Sequence, residues 1–560
     1  MQAQAPQNWW AGDDMPVRTD SPVTFLIDGR HTMWTMCLHF LTARQYIYLA
    51  NWGMTPTMQM VRGSDHRAGP DGSPEQNALL EELRAAGLSA EDIQFWCTQE
   101  LTVQNVLGYA VRKGVTVKVL LWACPEIFSH YSPKTAFEEL SAVGVTCMLD
   151  DSANRLPHPS ESLHQKISIV DGEYAFVGGI DPLIELNGDF DRWDTPWHSF
   201  LSELRSNPKD RQPHCWHDTH AMIQGTAAQD VEFNFYQRWN DVMNRHKLDE
   251  ALLVPEPERK PRQPLANHFV QIARTIPKET YNFAPEEGIQ GIAQLYANAF
   301  SNARRFLYLE NQYFWLRSFM GLDFAELGQD SPEMERNMHI LAQALEQGAS
   351  VAFVLPDHPN VGRAFTDAGL NHLRKNAPNA AAAGRIQAFC LAVSTNRDGK
   401  EHYRPVYVHA KVAIIDDLWA TIGSANLNNR GMRDDAEMNV AVLYPGFASS
   451  LRIQLWAEHL DLIHEDEQFI LSRYLSRQPQ PPALNERAKE IWQRLQEQLG
   501  DPAVGMRAMI NVAQMNLQRF KNGEPLVGHL FPYLTADEAR QLGLSFHESH
   551  GLFETPEEMK

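Results

Sequence analysis

The sequence predicts an α/β protein of two pseudo-symmetric α/β/α sandwich lobes with mixed sheets, and a candidate site where the lobes meet. Short apolar runs rich in β-branched residues alternate with helical patterns along the 560-residue chain, which indicates alternating strands and helices. The second half repeats this order. One polar pattern also recurs: "LHQKISIVD" at 163–171 and "VHAKVAIID" at 408–416 both read His-x-Lys-x-x-x-x-Asp, 245 residues apart (409 − 164). Repetition of both order and motif predicts two lobes of one design.

The first half begins with the strand "FLID" at 25–28. Strands are predicted where apolar, β-branched residues run together, and helices where apolar residues recur every three or four positions. The further predicted strands are 45–51, 115–122, 145–150, the first motif and 174–179, and the predicted helices are 30–43, 102–114 and 134–143. The segment 53–78 is rich in Gly, Pro, Asp and Ser, which predicts a long exposed loop.

The second half matches the first, segment by segment. The helix 288–303 precedes "RFLYLENQYF" (305–314), which matches "QYIYLANWGM" (45–54). The helix 335–347 precedes "GASVAFVLP" (348–356), which matches "GVTVKVLLW" (114–122). The strand 386–394 leads to the second motif, and "WATIGS" (419–424) parallels "YAFVGG" (174–179). An internal duplication explains this agreement better than the motif alone.

The domain organisation follows from these matches. The segment 250–266, "EALLVPEPERKPRQPLA", is rich in Pro and charge and reads as a linker. We therefore expect an N-terminal extension over 1–21, a first lobe over 22–249, a second lobe over 267–470, and a helical C-terminal appendage over 471–560 that includes the helix 483–500.

Composition excludes several classes of protein. Acidic side chains outnumber basic ones, 70 to 49, and the formal charge of −21 argues against nucleic acid as a partner. The six cysteines are scattered without a Cys-x-x-Cys pair, which predicts reduced, buried thiols and no zinc site. No apolar run reaches about 18 residues, and the first twenty residues lack a basic and apolar leader. We expect a cytoplasmic chain as synthesised, open to a signal-independent export route.

The repeated motif carries the candidate chemistry. Alternate residues of a strand share a face, so His164 and Lys166 point the same way, as do His409 and Lys411. One such pair is usually an exposed polar face, but its recurrence favours function. A pseudo-twofold axis would bring two imidazoles and two ammonium groups to one cleft. The lysines would match a phosphate, one imidazole would attack phosphorus, and the other would act as acid and base, with neither metal nor cofactor.

With these residues the sequence resembles the phospholipase D superfamily, whose signature is His-x-Lys-x4-Asp followed by a Gly/Ser-rich turn and Asn. The second copy continues "DLWATIGSANLNNRGM", with Ser424 and Asn426 as that pattern requires. The first copy has Gly179 and Asp181 instead, which resembles the eukaryotic-type variant. The flanking matches span about 22–270 and 285–535 and include the segments "RWDT", "WHD", "QRWN", "ENQYF", "WAEHL" and "GHLFPY".

The resemblance implies a role for each signature residue. His164 would be the nucleophile and His409 the general acid and base. The catalytic set of the signature is His164, Lys166, Asp171, His409, Lys411 and Asp416. The two aspartates end their strands before turns, however, and Asx hydrogen bonding in those turns is the role we favour for them.

Five further residues are expected to support this set. Family members carry an acid behind each histidine, 28–30 positions downstream. Glu437 lies 28 residues after His409 and Asp194 lies 30 after His164, which predicts these two pairings. Asp181 and Asn426 would touch the phosphate or orient the lysines, and Ser424 supports the site as part of the signature's turn.

The predicted activity is that of a phospholipase D. It would cleave the distal phosphodiester of glycerophospholipids through a phosphohistidine intermediate, with transphosphatidylation as a side reaction. The alternatives are a cardiolipin-synthase-like transferase, whose usual membrane helices are missing, and a nuclease, which the acidic charge disfavours. A non-enzymatic scaffold would tolerate loss of a histidine, yet both pairs are intact.

The expected partner is a phospholipid at a membrane surface, without nucleic acid, and a monomer is favoured. The segment 313–324, "YFWLRSFMGLDF", reads as an apolar lip that enters lipid or as a plain buried loop. Resemblance to bacterial effectors of this type implies an immunity or secretion-delivery protein as a partner, and the alternative is a housekeeping or secreted lipase.

Overall fold

The first half of the chain folds around a sheet of seven strands. The computed structural model describes residues 7–12, 14–125, 131–152, 161–185, 190–198, 204–205, 215–265, 267–318, 329–358, 362–547 and 551–554. The elements of the first half are β1 (Val23–Ile27), α1 (Asp28–Thr42), β2 (Tyr46–Asn51), α2 (Pro74–Ala85), α3 (Ala90–Thr98), α4 (Val103–Arg112), β3 (Thr116–Trp122), α5 (Pro133–Ala142), β4 (Thr146–Asp150), β5 (Lys166–Val170), β6 (Tyr174–Gly178), β7 (Cys215–His217), β8 (Thr219–Gln224) and α6 (Thr226–His246).

The second half builds a larger sheet and ends in helices. Its elements are β9 (Phe269–Ile276), β10 (Ile289–Gln290), α7 (Gly291–Asn302), β11 (Phe306–Asn311), β12 (Arg317–Ser318), β13 (Gln329–Asp330), α8 (Pro332–Glu346), β14 (Ser350–Val354), α9 (Arg363–Asn376), α10 (Pro378–Ala382), β15 (Ile386–Arg397), β16 (Lys400–Val408), β17 (Lys411–Ile415), β18 (Trp419–Gly423), β19 (Glu437–Leu443), α11 (Pro445–His459), α12 (Glu465–Leu475), α13 (Pro482–Leu499), α14 (Pro502–Asn522), β20 (Leu530–Pro532) and α15 (Ala536–Gln541).

The two sheets share one strand order. The first runs β1-β8-β6-β5-β2-β3-β4, and the second contains β9-β19-β18-β17-β11-β14-β15 in equivalent positions. In both, the last two pairings of this order are parallel and the others are antiparallel. Helices connect the parallel strands, as crossover geometry requires. The predicted fold class, α/β with two pseudo-symmetric lobes and mixed sheets, is confirmed.

The halves also interlock, which the sequence did not predict. β7 comes from the first half but pairs in parallel with β16 of the second sheet, and β20 from the C-terminal region pairs with β15. One hydrophobic cluster runs through both sheets and includes Ile167 of β5 and Ile414 of β17. The residues that follow β7 are therefore held between the halves.

The segment 53–78 differs from its prediction as an exposed loop. Met54, Met58 and Met60 are buried in the core, and α2 begins at Pro74. Methionine fills irregular gaps between elements, so a stretch rich in Gly and Pro can still pack inward. The predicted loop rested on the Gly, Pro, Asp and Ser residues of the segment and took no account of its buried methionines.

Other expectations concern thiols and membrane contact. All six cysteines are free, and five of them are buried, as predicted for reduced thiols. Within the described residues, no helix has both the length and the apolar character needed to cross a membrane. Phe314 and Trp315 of the predicted apolar lip are buried, and residues 319–324 lie outside the described residues.

Candidate active site

Each motif histidine lies just before its strand, where it is fixed by backbone from the other half or from the interlocking strand. The N–H of His164 donates to the carbonyl of Ala436 over 2.9 Å, and the N–H of His409 donates to the carbonyl of His217 over 2.8 Å. The strands themselves begin at Lys166 and Lys411. Both motifs therefore enter the same region between the lobes.

The carboxylate partner of each imidazole crosses between the halves. His164 Nδ1 donates to Glu437 Oε1 over 2.8 Å, and His409 Nδ1 donates to Asp218 Oδ2 over 2.6 Å. Glu437 belongs to the second half and Asp218 to the first. The pairings predicted from sequence spacing, Glu437 with His409 and Asp194 with His164, are wrong.

Asp194 has other partners. Its Oδ1 accepts from His198 Nδ1 over 2.6 Å, and its Oδ2 lies 2.6 Å from Arg205 Nε. Both oxygens are thus engaged outside the pair of motifs, and Asp194 is completely buried. The ion pair with Arg205 indicates that Asp194 holds its own segment of the chain in place.

Asp218 could have been found from strand order instead of residue spacing. Glu437 opens β19 and Asp218 immediately precedes β8, which are equivalent strands. The glycine that ends each motif's second strand marks equivalent positions: Gly423 pairs with Asn439, and Gly178 pairs with His220. Glu437 lies two residues before Asn439, and Asp218 lies two residues before His220. The first half inserts a long segment between its glycine turn and β8, and a fixed spacing of 28–30 residues therefore selects the wrong acid.

Both lysines are buried beside their histidines. Lys166 Nζ donates to the carbonyl of His164 over 2.5 Å and lies 3.4 Å from Asp181 Oδ2. Lys411 Nζ donates to the carbonyl of His409 and to Gln312 Oε1, the latter over 3.3 Å.

Asn426 Nδ2 donates to the same oxygen of Gln312 over 3.1 Å. Asp181 thus contacts its lysine directly, whereas Asn426 reaches Lys411 through Gln312, a residue that the sequence analysis missed although it lies within "ENQYF".

Ser424 holds the carboxylate of Glu437. Its hydroxyl donates to Glu437 Oε2 over 2.5 Å and accepts from the backbone N–H of Met438 over 3.0 Å. Glu437 therefore has one oxygen on His164 and the other on Ser424. This arrangement fixes the orientation of the His164 ring.

The two motif aspartates tie strands together. Asp171 accepts three backbone N–H bonds, from Arg44, Gln45 and Tyr46, and Asp416 accepts three from Arg304, Arg305 and Phe306, all over 2.8–2.9 Å. Their membership of the catalytic set is therefore corrected, because their oxygens are used by backbone. The favoured structural role holds, but the bonds reach the start of a neighbouring strand and not a local Asx turn.

Burial and cations control the protonation of the imidazoles. Burial, followed by the charges of Lys166 and Lys411, lowers the pKa of His164 well below its ordinary value. Burial, followed by the charges of Lys411, Arg192 and Lys166, does the same to the pKa of His409. A positive charge on His164 would lower the pKa of His409 further. Both rings are therefore neutral near pH 7. Because Nδ1 donates to a carboxylate, each Nε2 keeps its lone pair.

A buried ion-paired network supports the segment that carries Asp218. His217 lies 2.9 Å from Asp28 and 2.9 Å from Glu310 through its two nitrogens, and His459 donates to Glu310 over 2.9 Å. Asp28 also accepts from the N–H of Asp218 over 3.2 Å. The network links α1, β11 and α11 to the backbone beside Asp218.

Two groups of three residues in this network have ligand atoms close enough for a metal ion: His217, Glu310 and His459, and Asp28, His217 and Glu458. Their nitrogen–oxygen separations are hydrogen-bond lengths. Although burial opposes protonation, Glu458, Glu310 and Asp28 raise the pKa of His217 well above its ordinary value. An imidazolium has no lone pair for a metal, so we interpret the network as ion-paired.

Two family models and several curated relatives match this chain. Residues 97–331 match the family model described as "Phospholipase D", and residues 298–457 match "Cardiolipin synthase, PLD-like domain". Phospholipase D alpha 1 from Carica papaya is 25% identical over 78% of this chain and 64% of its own length. The corresponding protein from Cynara cardunculus is 27% identical over 76% of this chain and 63% of its own length. The chain thus spans slightly less than two thirds of these relatives.

This chain is also similar to several solved structures. Phosphatidylserine synthase from Haemophilus influenzae Rd KW20 aligns with a TM-score of 0.46 and 12% identity, covering 86% of this chain and 95% of the other. The phospholipase D family member Nuc from Salmonella typhimurium covers 33% of this chain and 90% of its own, with a TM-score of 0.21 and 19% identity. The two family models overlap and together extend over both copies of the motif, and on this basis the chain belongs to the phospholipase D superfamily.

Proposed function

We propose that this chain is a phosphodiesterase of the phospholipase D type, which hydrolyses the distal phosphodiester of glycerophospholipids to phosphatidic acid and a head-group alcohol. The observation that carries the proposal is the crossed pairing of the two imidazoles, His164 with Glu437 and His409 with Asp218. Each half supplies one imidazole and the carboxylate of the other. Neither half would be complete alone, which is expected of a single shared reaction centre.

The first step forms a covalent intermediate. As the anionic phosphodiester binds, the neutral ring of His409 takes up a proton at Nε2 from solvent. Nε2 of His164 then attacks phosphorus, the bond from phosphorus to the head-group oxygen breaks, and the Nε2 proton of His409 goes to the leaving oxygen. Lys166 and Lys411 donate to the backbone carbonyls of the two histidines, and they offset the negative charge that develops on the phosphoryl oxygens. His164 as nucleophile follows the family resemblance, and it is also the more exposed side chain, at 15% against 7% for His409.

The second step releases the lipid. His409 takes a proton from water, the water oxygen attacks phosphorus, and the phosphorus–nitrogen bond to His164 breaks. Phosphatidic acid leaves, His164 is neutral again, and His409 carries at Nε2 the proton that it donates in the next turnover or returns to solvent. A primary alcohol in place of water would give a transphosphatidylation product.

Phosphatidyl transfer is the second candidate activity. The family model that matches residues 298–457 is described as "Cardiolipin synthase, PLD-like domain". The same two steps would transfer the phosphatidyl group if a lipid hydroxyl replaced water as the acceptor. Hydrolysis and transfer share every residue of the first step and differ only in the acceptor. Product analysis with and without an alcohol separates them.

The test uses vesicles of phosphatidylcholine, phosphatidylethanolamine or phosphatidylglycerol with a chelator, and measures phosphatidic acid and free head group. We expect wild-type protein to release both, and His164→Ala and His409→Ala to release neither. His372→Ala, on the exposed face of α9, is the matched control and should keep full activity. Trapping of an alkali-stable, acid-labile phosphoryl group on His409 instead of His164 would reverse the assigned roles. Absence of both products from wild-type protein with all three lipids would refute the function.

A further inference from the structure

The two copies of the motif differ in charge at one equivalent position. Asp181 and Asn426 each lie 17 residues after their histidine (181 − 164 and 426 − 409). Asp181 lies 3.4 Å from Lys166 and offsets its charge, whereas the amide of Asn426 leaves the charge of Lys411 unopposed at this position. At this position, therefore, the first half presents less positive charge to an anion than the second, unless another cation compensates.

Arg192 is such a cation. Its guanidinium lies over the ring of Trp216 at 3.8 Å, and that ring packs 4.7 Å from the ring of His409. Nη2 of Arg192 donates to Glu185 Oε1 over 2.5 Å. The residue is 5% exposed, and within the described parts of the chain its buried Nη1 has no hydrogen-bond partner.

The charge of Arg192 acts on the whole centre. Burial and Lys411 are the largest causes that lower the pKa of His409, and Arg192 follows them. Arg192 also helps to lower the pKa of His164, after burial, the two lysines and Arg430, and it opposes the rise that burial causes in the pKa of Asp181. An arginine that served only to pack on Trp216 would not need a buried donor without an acceptor, since unpaired buried N–H groups are costly and rare. The stack and the Glu185 bond fix the plane of the guanidinium, which is how arginines are prepared to bind phosphate.

We propose that Arg192 is a third phosphate-binding residue of this centre. Its Nη1 donates to a non-bridging phosphoryl oxygen. Its positive charge compensates for the charge of Lys166 that Asp181 offsets. The inference rests on the proposed function for the identity of the substrate. It adds a residue outside both motif copies to the groups that touch the phosphate.

A double-mutant cycle tests the charge relationship. Arg192→Gln, Asp181→Asn and the double variant are compared with wild type for binding of inorganic phosphate by calorimetry and for kcat/KM on phosphatidylcholine vesicles. We expect Arg192→Gln to weaken phosphate binding at least about tenfold. Adding Asp181→Asn should recover most of that loss, because the substitution copies the uncharged residue of the second half. Arg192→Lys keeps the charge without the planar donor and should fall between wild type and Arg192→Gln.

Arg452→Gln is the matched control. Arg452 is also buried, lies over Trp456 at 4.6 Å and pairs with Asp417 over 2.7 Å, so its loss should reduce stability while phosphate affinity stays unchanged. If Arg192→Gln does not fold, the same comparison is made with Arg192→Lys. Phosphate affinity equal to wild type in a folded Arg192 variant would overturn the inference. Phosphate binding that follows the cycle in a protein that cleaves no lipid would refute the proposed function and leave the inference standing.

Discussion

Gly179 and Asp218 approach so closely that a side chain on Gly179 would collide with the carboxylate. A Cβ built on Gly179 would stand 2.1 Å from Asp218 Oδ1. The equivalent position in the second half holds Ser424, which bonds to the longer side chain of Glu437. The shorter aspartate brings its carboxylate to the backbone, where the N–H of Thr219 donates to it over 2.7 Å. The first half thus combines Gly179 with the shorter acid Asp218, whereas the second half combines Ser424 with the longer acid Glu437.

Substitution of Gly179 should therefore disable His409. Gly179→Ala displaces Asp218, and we expect kcat/KM to fall by roughly 10²-fold, the lower range for loss of acid–base catalysis. Ser424→Ala removes a hydroxyl without a clash and should cost less. The measurement is vesicle hydrolysis with circular dichroism as a check on folding. Equal activity of Gly179→Ala and wild type would contradict this account.

The crossed pairing predicts opposite behaviour for two acids. Glu437→Gln should reduce kcat by about 10²-fold or more with little change in KM, because the His164 ring loses its charged partner. Asp194→Asn should instead lower the free energy of unfolding by about 3 kcal/mol, since it breaks a buried pair with Arg205. Kinetics and denaturant unfolding of both variants check this. A selective loss of kcat in Asp194→Asn would restore the pairing predicted by spacing.

Asp416 should behave as a structural residue. Asp416→Ala removes the acceptor of three backbone N–H bonds at the start of β11, and we expect about 2–3 kcal/mol less stability. At a temperature where the variant remains folded, kcat should match wild type. A folded Asp416→Ala protein without activity would return Asp416 to the catalytic set.

The network around Glu310 should support both stability and catalysis. Glu310→Gln leaves the His217 imidazolium short of a carboxylate, and breaking such a buried pair costs about 3–5 kcal/mol. Tyr308→Phe, which removes only a hydroxyl bonded to the same carboxylate, should cost about 1 kcal/mol. Urea unfolding of the two variants checks the difference, and similar losses would contradict the charged network.

Acid should destabilise the fold through buried neutral histidines. Burial lowers the pKa of His529 to about 4, so the unfolded chain binds this proton first as pH falls below the ordinary histidine value of about 6.5. Stability from this group is present above about pH 6.5 and declines by about 1.4 kcal/mol per unit down to pH 4. His529→Phe should flatten the pH dependence of unfolding in that window, whereas exposed His372→Phe should not. An unchanged slope in His529→Phe would contradict the burial argument.

Sequence patterns over a few residues predicted many of the strands and helices. The strands β2, β3, β5, β11, β14 and β17 and the helices α1, α4, α5, α7 and α8 follow from runs of β-branched residues and from helical periodicity, both of which act over a few residues. The equal offsets within the two motifs predicted two lobes of one design, and the shared strand order of the two sheets agrees with that prediction. Local pattern could not reveal β7, since its three residues pair with a strand almost two hundred positions away.

The sequence by itself determined two lobes, two histidines and two lysines brought to one centre. Only the tertiary structure decided which carboxylate serves which imidazole, that Asp171 and Asp416 bind backbone, and that Gln312 and Arg192 lie beside the lysines and the His409 ring. The physical reason is that these contacts join segments from different strands, and their distance in space depends on sheet order and on an insertion in the first half. Residue spacing along the chain does not measure either.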